Sequence, residues 1–459
     1  MPLSPPDHTS PAPLDIAVVG SGIAGLSAAW LLSKAHRVTL YEKEDRPGGH
    51  ANTVDVAAEA GGAGPVDTGF IVYNEPCYPN LVALFDHLGV PTRATDMSFA
   101  ASLDGGRVEY AGTPAALFAQ KRNLLRPRFW RMIADILRFY REAPGLLVDP
   151  AAETLTLGDV LDRGGYSDAF IRDHLLPMAA AIWSSPAESM RGHPAAAFIR
   201  FCDNHGLLKL KGRPVWRTVE GGSRSYVGRI LADMPGALRL NCAVEGIVRE
   251  EGRVLLRDRR GEVRAHDHVV LATHADQALA LLEDAGGEER RLLGAFGYER
   301  NLAILHGDPA LMPKRRAVWS SWNYLAERGD GGQDALCVTY WMNRLQDFLP
   351  RERDLFVTLN PIRPPRDGSI LRSVLYDHPI FGMEALAAQR QLWSLQGRRR
   401  TWFAGSYFGA GFHEDGAQAG LAVAEALGGV RRPWTVANPS GRIHVGSAPA
   451  IRGAELETA

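Results

Sequence analysis

The chain has 459 residues, 46% of them hydrophobic and 22% charged, with 51 basic residues against 52 acidic ones. That length suits two or three domains of roughly 100–200 residues each. The balance excludes wholesale disorder and the basic footprint of a nucleic-acid binder. Four scattered cysteines (Cys77, Cys202, Cys242 and Cys337) form no C-x-x-C pair. No metal centre or disulfide framework is therefore expected, and a reducing, cytoplasmic setting fits. No run of about 18 apolar residues offers a membrane span. Residues 1–13, MPLSPPDHTSPAP, lack a basic start and an apolar core, and read as a disordered tail rather than a leader.

Leu14 to Gly20 is a short apolar run ending in glycine, as in a buried parallel strand. Ile23 to Ala35 has helical composition, and Arg37 to Glu42 alternates like a strand. Together they make a βαβ unit. Pro76 to Leu88 and much of 114–200 read as helical, and Arg107 to Tyr110 as a short strand. From Leu238 to Ala272, strand-like runs alternate with turn residues, and Asp276 to Leu282 reads as a helix. Asn301–His306, Ala317–Trp322, Ala335–Trp341 and Leu355–Leu359 are expected as strands of a second sheet; His378 reads either as a proton-transfer candidate or as a residue bonding backbone in a turn before Pro379. Thr401–Ala404 is a further strand, and a glycine-rich loop leads to a helix over about Gly416–Leu427. The expected organisation is a nucleotide-binding domain in three pieces (14–73, 215–275 and 400–430). A substrate domain takes 74–214, mostly helical, and 276–399, a mixed sheet; 431–459 is a C-terminal extension.

Gly20-Ser21-Gly22-Ile23-Ala24-Gly25 joins the first strand to the first helix. Gly20 permits the tight turn, Gly22 lets the backbone approach a pyrophosphate, and Gly25 brings helix and strand together. The helix N-terminus supplies N–H groups and the positive end of its dipole. Glu42, closing the second strand, offers a carboxylate to the hydroxyls of an adenosine ribose. Strand, helix, second strand and acid in this order specify a dinucleotide site.

These residues, with Glu42-Lys43-Glu44-Asp45-Arg46-Pro47-Gly48-Gly49-His50, resemble the flavin-containing amine oxidase superfamily, which includes monoamine oxidases, phytoene desaturases and protoporphyrinogen oxidases. The resemblance implies an α/β fold, with a Rossmann-like FAD-binding domain of the glutathione-reductase type and an inserted α+β substrate domain. It implies one non-covalent FAD, since no cysteine lies between Thr401 and Gly420. Arg46, Gly48 and Gly49 match the stretch that binds the FAD phosphates, while the family usually has arginine where this chain has His50. Thr68, Gly69 and Phe70 resemble the segment passing the flavin. Val244 is similar to the valine that holds the adenine, and Ala272 marks the return to the nucleotide domain. Gly405, His413, Glu414, Asp415 and Gly416 resemble the last FAD-binding motif. More narrowly, the chain looks like a subgroup of FAD-dependent oxidoreductases whose genes often accompany cyclopropane-fatty-acyl synthases. The runs 317–324, 338–344, 357–361 and 412–416 carry that likeness.

Amine-oxidising members keep a lysine on a substrate-domain strand, at a position that falls at about Asn301; the nearest lysine is Lys314. His306, His378 and His413 are candidates for proton transfer, because imidazole titrates near neutrality. His413 and His306 are put forward as catalytic, His306 being equally an ordinary strand-end residue. Trp319, Trp322, Tyr324, Tyr340 and Trp341, with Tyr407, Phe408 and Phe412, form either plain core or an apolar pocket. Lys121 to Arg141 is strongly basic, with Trp130, Ile133, Ala134 and Leu137 expected on one face. Such a helix either packs on its own domain or rests as a peripheral contact on the inner face of a membrane. The leading expectation is an FAD-dependent oxidoreductase acting on an apolar substrate such as a fatty acyl chain. Amine oxidation, and a non-catalytic lipid escort of the same fold, are the alternatives. Oligomeric state stays open.

Overall fold

The apolar run after Leu14 becomes the strand Asp15–Val19, the centre of a five-stranded parallel sheet. A computed structural model describes residues 12–57, 64–183, 188–328 and 334–446. The expected tail lies almost wholly outside the described residues, as does the extension beyond 446. The sheet runs Ala237–Arg239, Arg37–Tyr41, Asp15–Val19, His268–Leu271, Thr401–Phe403. Its strands come from three separated stretches of chain, and every pairing is parallel. The helix Ile23–Leu32 follows the central strand and is buried along its whole length. Such a sheet and helix have no solvated face, which is why both read as unbroken apolar runs.

The C-terminal helix His413–Gly428 lies against Ile23–Leu32. Glycines permit that approach. A Cβ on Gly420 would stand 2.2 Å from the Ala24 carbonyl oxygen, and one on Gly416 would stand 2.9 Å from Ile23 Cγ2. Two helices this close must be locally bare, and larger side chains would push them apart.

A second sheet has seven strands, in the order Ile370–Ile380, Gly297–His306, Phe356–Leu359, Asp334–Trp341, Trp322–Arg328, Phe99–Leu103, Val108–Ala111. Helices between 114 and 204, among them Pro127–Leu146, Leu176–Trp183 and Ala195–Asn204, form a layer of their own. Two expectations about this half need correction. Ala317–Trp322 is not a strand: a 3-10 turn covers Arg316–Val318, and the strand starts at Trp322. Asn323 takes the backbone hydrogen bonds, accepting from Ser320 N at 2.9 Å and donating to Ser320 O at 2.6 Å. Such side-chain bonds compete with a ladder. His378 is not in a turn but in the strand Ile370–Ile380, opposite Glu299. That strand is at the sheet edge, so the missing N–H of Pro379 breaks no ladder bond.

Candidate active site

One cavity of about 1410 Å³ separates the parallel sheet from the second sheet and the helical layer. At its nucleotide end the fingerprint works through bare backbone. Gly20 has φ +99°, and a Cβ there would meet Ala272 O at 2.7 Å. A Cβ on Gly25 would fall 1.8 Å from Gly20 O, so Gly25 sits behind the turn and serves contact between helix and strand rather than lining the cavity. Gly22 differs. A Cβ on it would meet nothing within 4 Å, because it faces the open cavity at an N-terminus that no side chain caps. Unpaired first-turn N–H groups beside such a gap suit a pyrophosphate.

Glu42 is buried, accepting from Ser21 N and Glu44 N at 3.0 Å each. It lines the cavity with Ile23, Ala24, Lys43, Val244, Ala272 and Gly405. The Arg46 guanidinium donates twice to Gly49 O at 3.0 Å, pinning the loop where Gly48 (φ +111°) and Gly49 (φ +56°) reverse the chain. Gly48 itself stands behind the wall, its N–H bonded to Ser21 O at 3.0 Å, while Gly49 and His50 reach the cavity. Open backbone, an uncapped helix end, a carboxylate and an arginine form a cradle that fits an adenine dinucleotide.

Thr68, Gly69 and Phe70 line the middle of the cavity. Thr68 Oγ1 and the Tyr376 hydroxyl lie 2.8 Å apart. Phe70 stacks on His413, with ring centroids 3.7 Å apart and planes inclined by 12°. His413 Nε2 is 3.1 Å from the Tyr226 hydroxyl. Burial holds His413 at about 3, a neutral ring against the cavity.

Its neighbours in sequence leave the site, and four expectations change accordingly. Glu414 is fully buried away from the cavity, accepting from Asn80 and Leu81 N–H at 3.1 and 3.0 Å. It ties the C-terminal helix to the N-terminus of the helix Pro79–His87, where a carboxylate is favoured. Asp415 caps its own helix by accepting from Phe412 N at 2.8 Å, and pairs with Arg442 at 2.7 Å. Gly416 packs on Ile23. His306, offered as catalytic, is fully buried between Thr358 Oγ1 at 2.7 Å and Asp308 N at 3.1 Å, outside the cavity wall. The partners explain the first three: Glu414 meets Asn80 and Leu81, Asp415 meets Arg442, and Gly416 lies on the face that packs against the helix Ile23–Leu32.

Around His50 the chain gathers a cluster that the sequence did not announce. The rings of Tyr376, His378 and His274 lie 4.8, 5.4 and 6.3 Å from that of His50, and His274 stacks on Tyr298 at 4.5 Å. His378 Nδ1 is 2.9 Å from Asn301 Nδ2, and Asn360 donates to Asn301 Oδ1 at 2.6 Å. Asn301 is therefore not a cavity residue; it holds one that is. Burial, then the other histidines, drive His50 well below its ordinary value, and burial lowers His378 to about 4. Among the described residues no group of His, Cys, Asp or Glu is set to hold a metal. A signal for His274 existed, since it follows a parallel strand at its carboxyl end, where ligands of such sheets bind. None existed for Tyr376, whose strand was unread.

Of the expected aromatics, Trp322, Tyr340, Tyr407 and Phe412 line the cavity. Trp319 and Trp341 pack on each other, edge to face at 5.4 Å, away from it. Trp183, Phe201 and Trp216, not singled out from the sequence, join the wall.

The sequence profile of the flavin-containing amine oxidoreductases matches residues 23–427. A Mycobacterium tuberculosis protein assigned as a flavin-containing monoamine oxidase is 27% identical over 268 residues; the match spans 56% of either chain, so about half of that relative's length. A CLA-producing fatty acid isomerase from P. acnes superposes with a TM-score of 0.65 at 16% identity, covering 90% of this chain and 98% of the other. Cyclohexylamine oxidase from Brevibacterium oxydans does so at 0.64 and 16%, over 90% and 99%. These superpositions establish a shared fold. With a profile match over most of its length and a cradle that fits the dinucleotide, the chain belongs to the flavin-containing amine oxidoreductase family.

Proposed function

We propose that the protein dehydrogenates an apolar substrate, a fatty acyl chain or related lipid. The observation that carries this reading is the cavity wall opposite the nucleotide cradle. Phe99, Tyr140, Met178, Trp183, Phe201, Trp216, Trp322, Tyr340 and Phe412 build it. Two carboxylates, Asp96 and Asp377, reach that side, and each is ion-paired, with Arg344 at 2.6 Å and Arg300 at 3.1 Å. Among the described residues, an ammonium would find no free counter-charge there. At the exposed rim Arg213 bonds, among the described residues, only the Lys209 carbonyl, at 2.7 Å, and is placed to meet an acyl carboxylate and repel an amine.

FAD, held without a covalent bond, supplies hydride acceptance when bound. The chain's own residues hold it, exclude water and align the substrate. Burial keeps His50, His378 and His413 neutral, so these three imidazoles add no positive charge to the cavity. The fatty acid isomerase among proteins of this fold supports the reading.

Anaerobic mixing of the oxidised holoprotein with phospholipids bearing methylated or monounsaturated chains, and separately with primary amines and polyamines, provides the test. Loss of the yellow absorbance with lipid alone is expected. Bleaching by amines with lipids inert would assign amine oxidation instead, and bleaching by neither would favour an escort role.

A further inference from the structure

The helix Pro127–Leu146 is apolar on two opposite sides. Its inner face, with Phe129, Met132, Phe139 and Ala143, is buried within the helical layer. Arg128 clamps it there, through Asp168 at 2.9 Å and Asp173 at 2.8 Å. The outer side is apolar as well. Trp130 and Leu137 are 47% and 45% exposed, and Leu124 and Leu125 in the turn before the helix are 46% and 87% exposed. Trp130, Ala134 and Leu137 stand at i, i+4 and i+7, one continuous stripe. Of the single apolar face expected from the sequence, these three point outward and Ile133 is half-buried. The patch is built rather than frayed: Trp130 Nε1 donates to Leu124 O at 2.9 Å, and its ring lies 5.5 Å from that of Phe118.

Positive charge surrounds it. Lys121, Arg122, Arg126 and Arg131 make no ion pair among the described residues. Arg126 donates to the Arg107 carbonyl at 2.9 Å and to Asn123 Oδ1 at 3.2 Å, both neutral acceptors. Arg122 likewise donates only to carbonyls, those of Gly106 and Arg107. Arg122 also lines a basic cleft with Arg107, Lys314 and Arg315, in which Asp104 is bonded to Arg107. The same helix contributes Tyr140 to the wall of the active-site cavity.

We propose that this surface docks on an anionic phospholipid bilayer, with Leu124, Leu125 and Trp130 at the boundary of headgroups and acyl chains and Lys121, Arg122 and Arg126 over the phosphates. Exposed apolar side chains ringed by unpaired cations match such an interface, where tryptophan is favoured. A second copy of the chain matches it poorly. In a two-fold dimer through this patch, unpaired cations would face unpaired cations. No helix among the described residues is long and apolar enough to cross a membrane, so the contact is peripheral. Docking does not depend on the substrate reading, and its test uses no turnover.

The holoprotein is floated with vesicles of phosphatidylcholine alone, or mixed with an equal part of phosphatidylglycerol, at low and high salt. Binding to the mixed vesicles at low salt, and little to phosphatidylcholine, is expected. Leu125→Glu should weaken binding by about tenfold or more, and Arg122→Ala by roughly fivefold for the one charge removed. Val263→Glu, at an exposed position of the sheet built from 244–266, should bind like wild type. Flavin content and melting temperature report that each variant is folded. Absence of wild-type binding to the mixed vesicles, or equal binding by folded Leu125→Glu, overturns the proposal. So does a dimer in sedimentation velocity that Leu125→Glu abolishes while vesicles are ignored.

Discussion

The two walls of the cavity are made of different material. The nucleotide side is built around bare backbone, at Gly20, Gly22, Gly49 and the open end of the helix Ile23–Leu32, with the charged run Glu42–Arg46 beside it. The opposite side is mostly side chains, drawn from the second sheet, the helical layer and the edge strand Ile370–Ile380. A backbone cradle depends on local φ and ψ and on neighbours close in sequence. A side-chain wall depends on which distant segments meet, so its parts are individually replaceable in a way that the cradle's are not.

Perturbing the cradle should therefore cost most. In Gly22→Val a branched side chain fills the open space beside the helix end, and flavin is expected to be nearly absent from the purified protein. A variant that retains full flavin would show that the pyrophosphate lies elsewhere. Next comes the junction between the walls. Asp415 is fully buried and bidentate with Arg442 at 2.7 and 3.1 Å, while Arg442 also donates to the Cys77 carbonyl at 2.9 Å. Arg442→Ala leaves a buried carboxylate without its cation and should lower stability by about 3 kcal/mol. A denaturant titration with an unchanged midpoint would contradict this. Smaller still is Glu42→Gln, which removes a charged acceptor. Flavin should bind about 1.5–3 kcal/mol more weakly, roughly 10- to 150-fold, by fluorescence titration of the apoprotein. If affinity is unchanged, the comparison sharpens, because backbone alone would then hold the cofactor.

The smallest effect belongs to two histidines of the cavity, His378 on the edge strand and His413 on the C-terminal helix. Burial keeps His413 at about 3 and His378 at about 4, against roughly 6.5 in an unfolded chain. Between those values the unfolded chain binds more protons than the folded one, so stability falls as pH drops from about 6.5 toward 4. His413→Phe preserves the stack on Phe70 and removes one titrating group. Its melting temperature should decline less steeply over that window than wild type's. Parallel declines would mean that His413 is not among the groups sensing pH.

The same division decides what could be read in advance. The parallel strands were legible because burial on both faces leaves an unbroken apolar run, and the fingerprint because its glycines are steric requirements of one turn. The edge strand carrying Tyr376 and His378 was not legible, since Asp377 and Pro379 argue locally for a turn and only its place at the sheet edge removes the objection. In the sequence His413 is favoured over His306 because its motif resembles one that lies against the flavin. Three-dimensional packing put His306 in the core beside Thr358 and His413 against the cavity.

By itself the sequence determined the parallel sheet, the fingerprint turn and the presence of a strongly basic helix, all properties of short stretches governed by periodicity and glycine stereochemistry, while the cofactor class followed from the family resemblance. Only the tertiary structure decided that Glu414, Asp415 and Gly416 anchor a helix instead of lining the site. It also decided that Asn301 positions His378, and that Trp130 and Leu137 face outward while Phe129 and Met132 are buried. Those outcomes depend on which face of an element meets which neighbour, and a helix or strand pattern names its faces without naming what covers them.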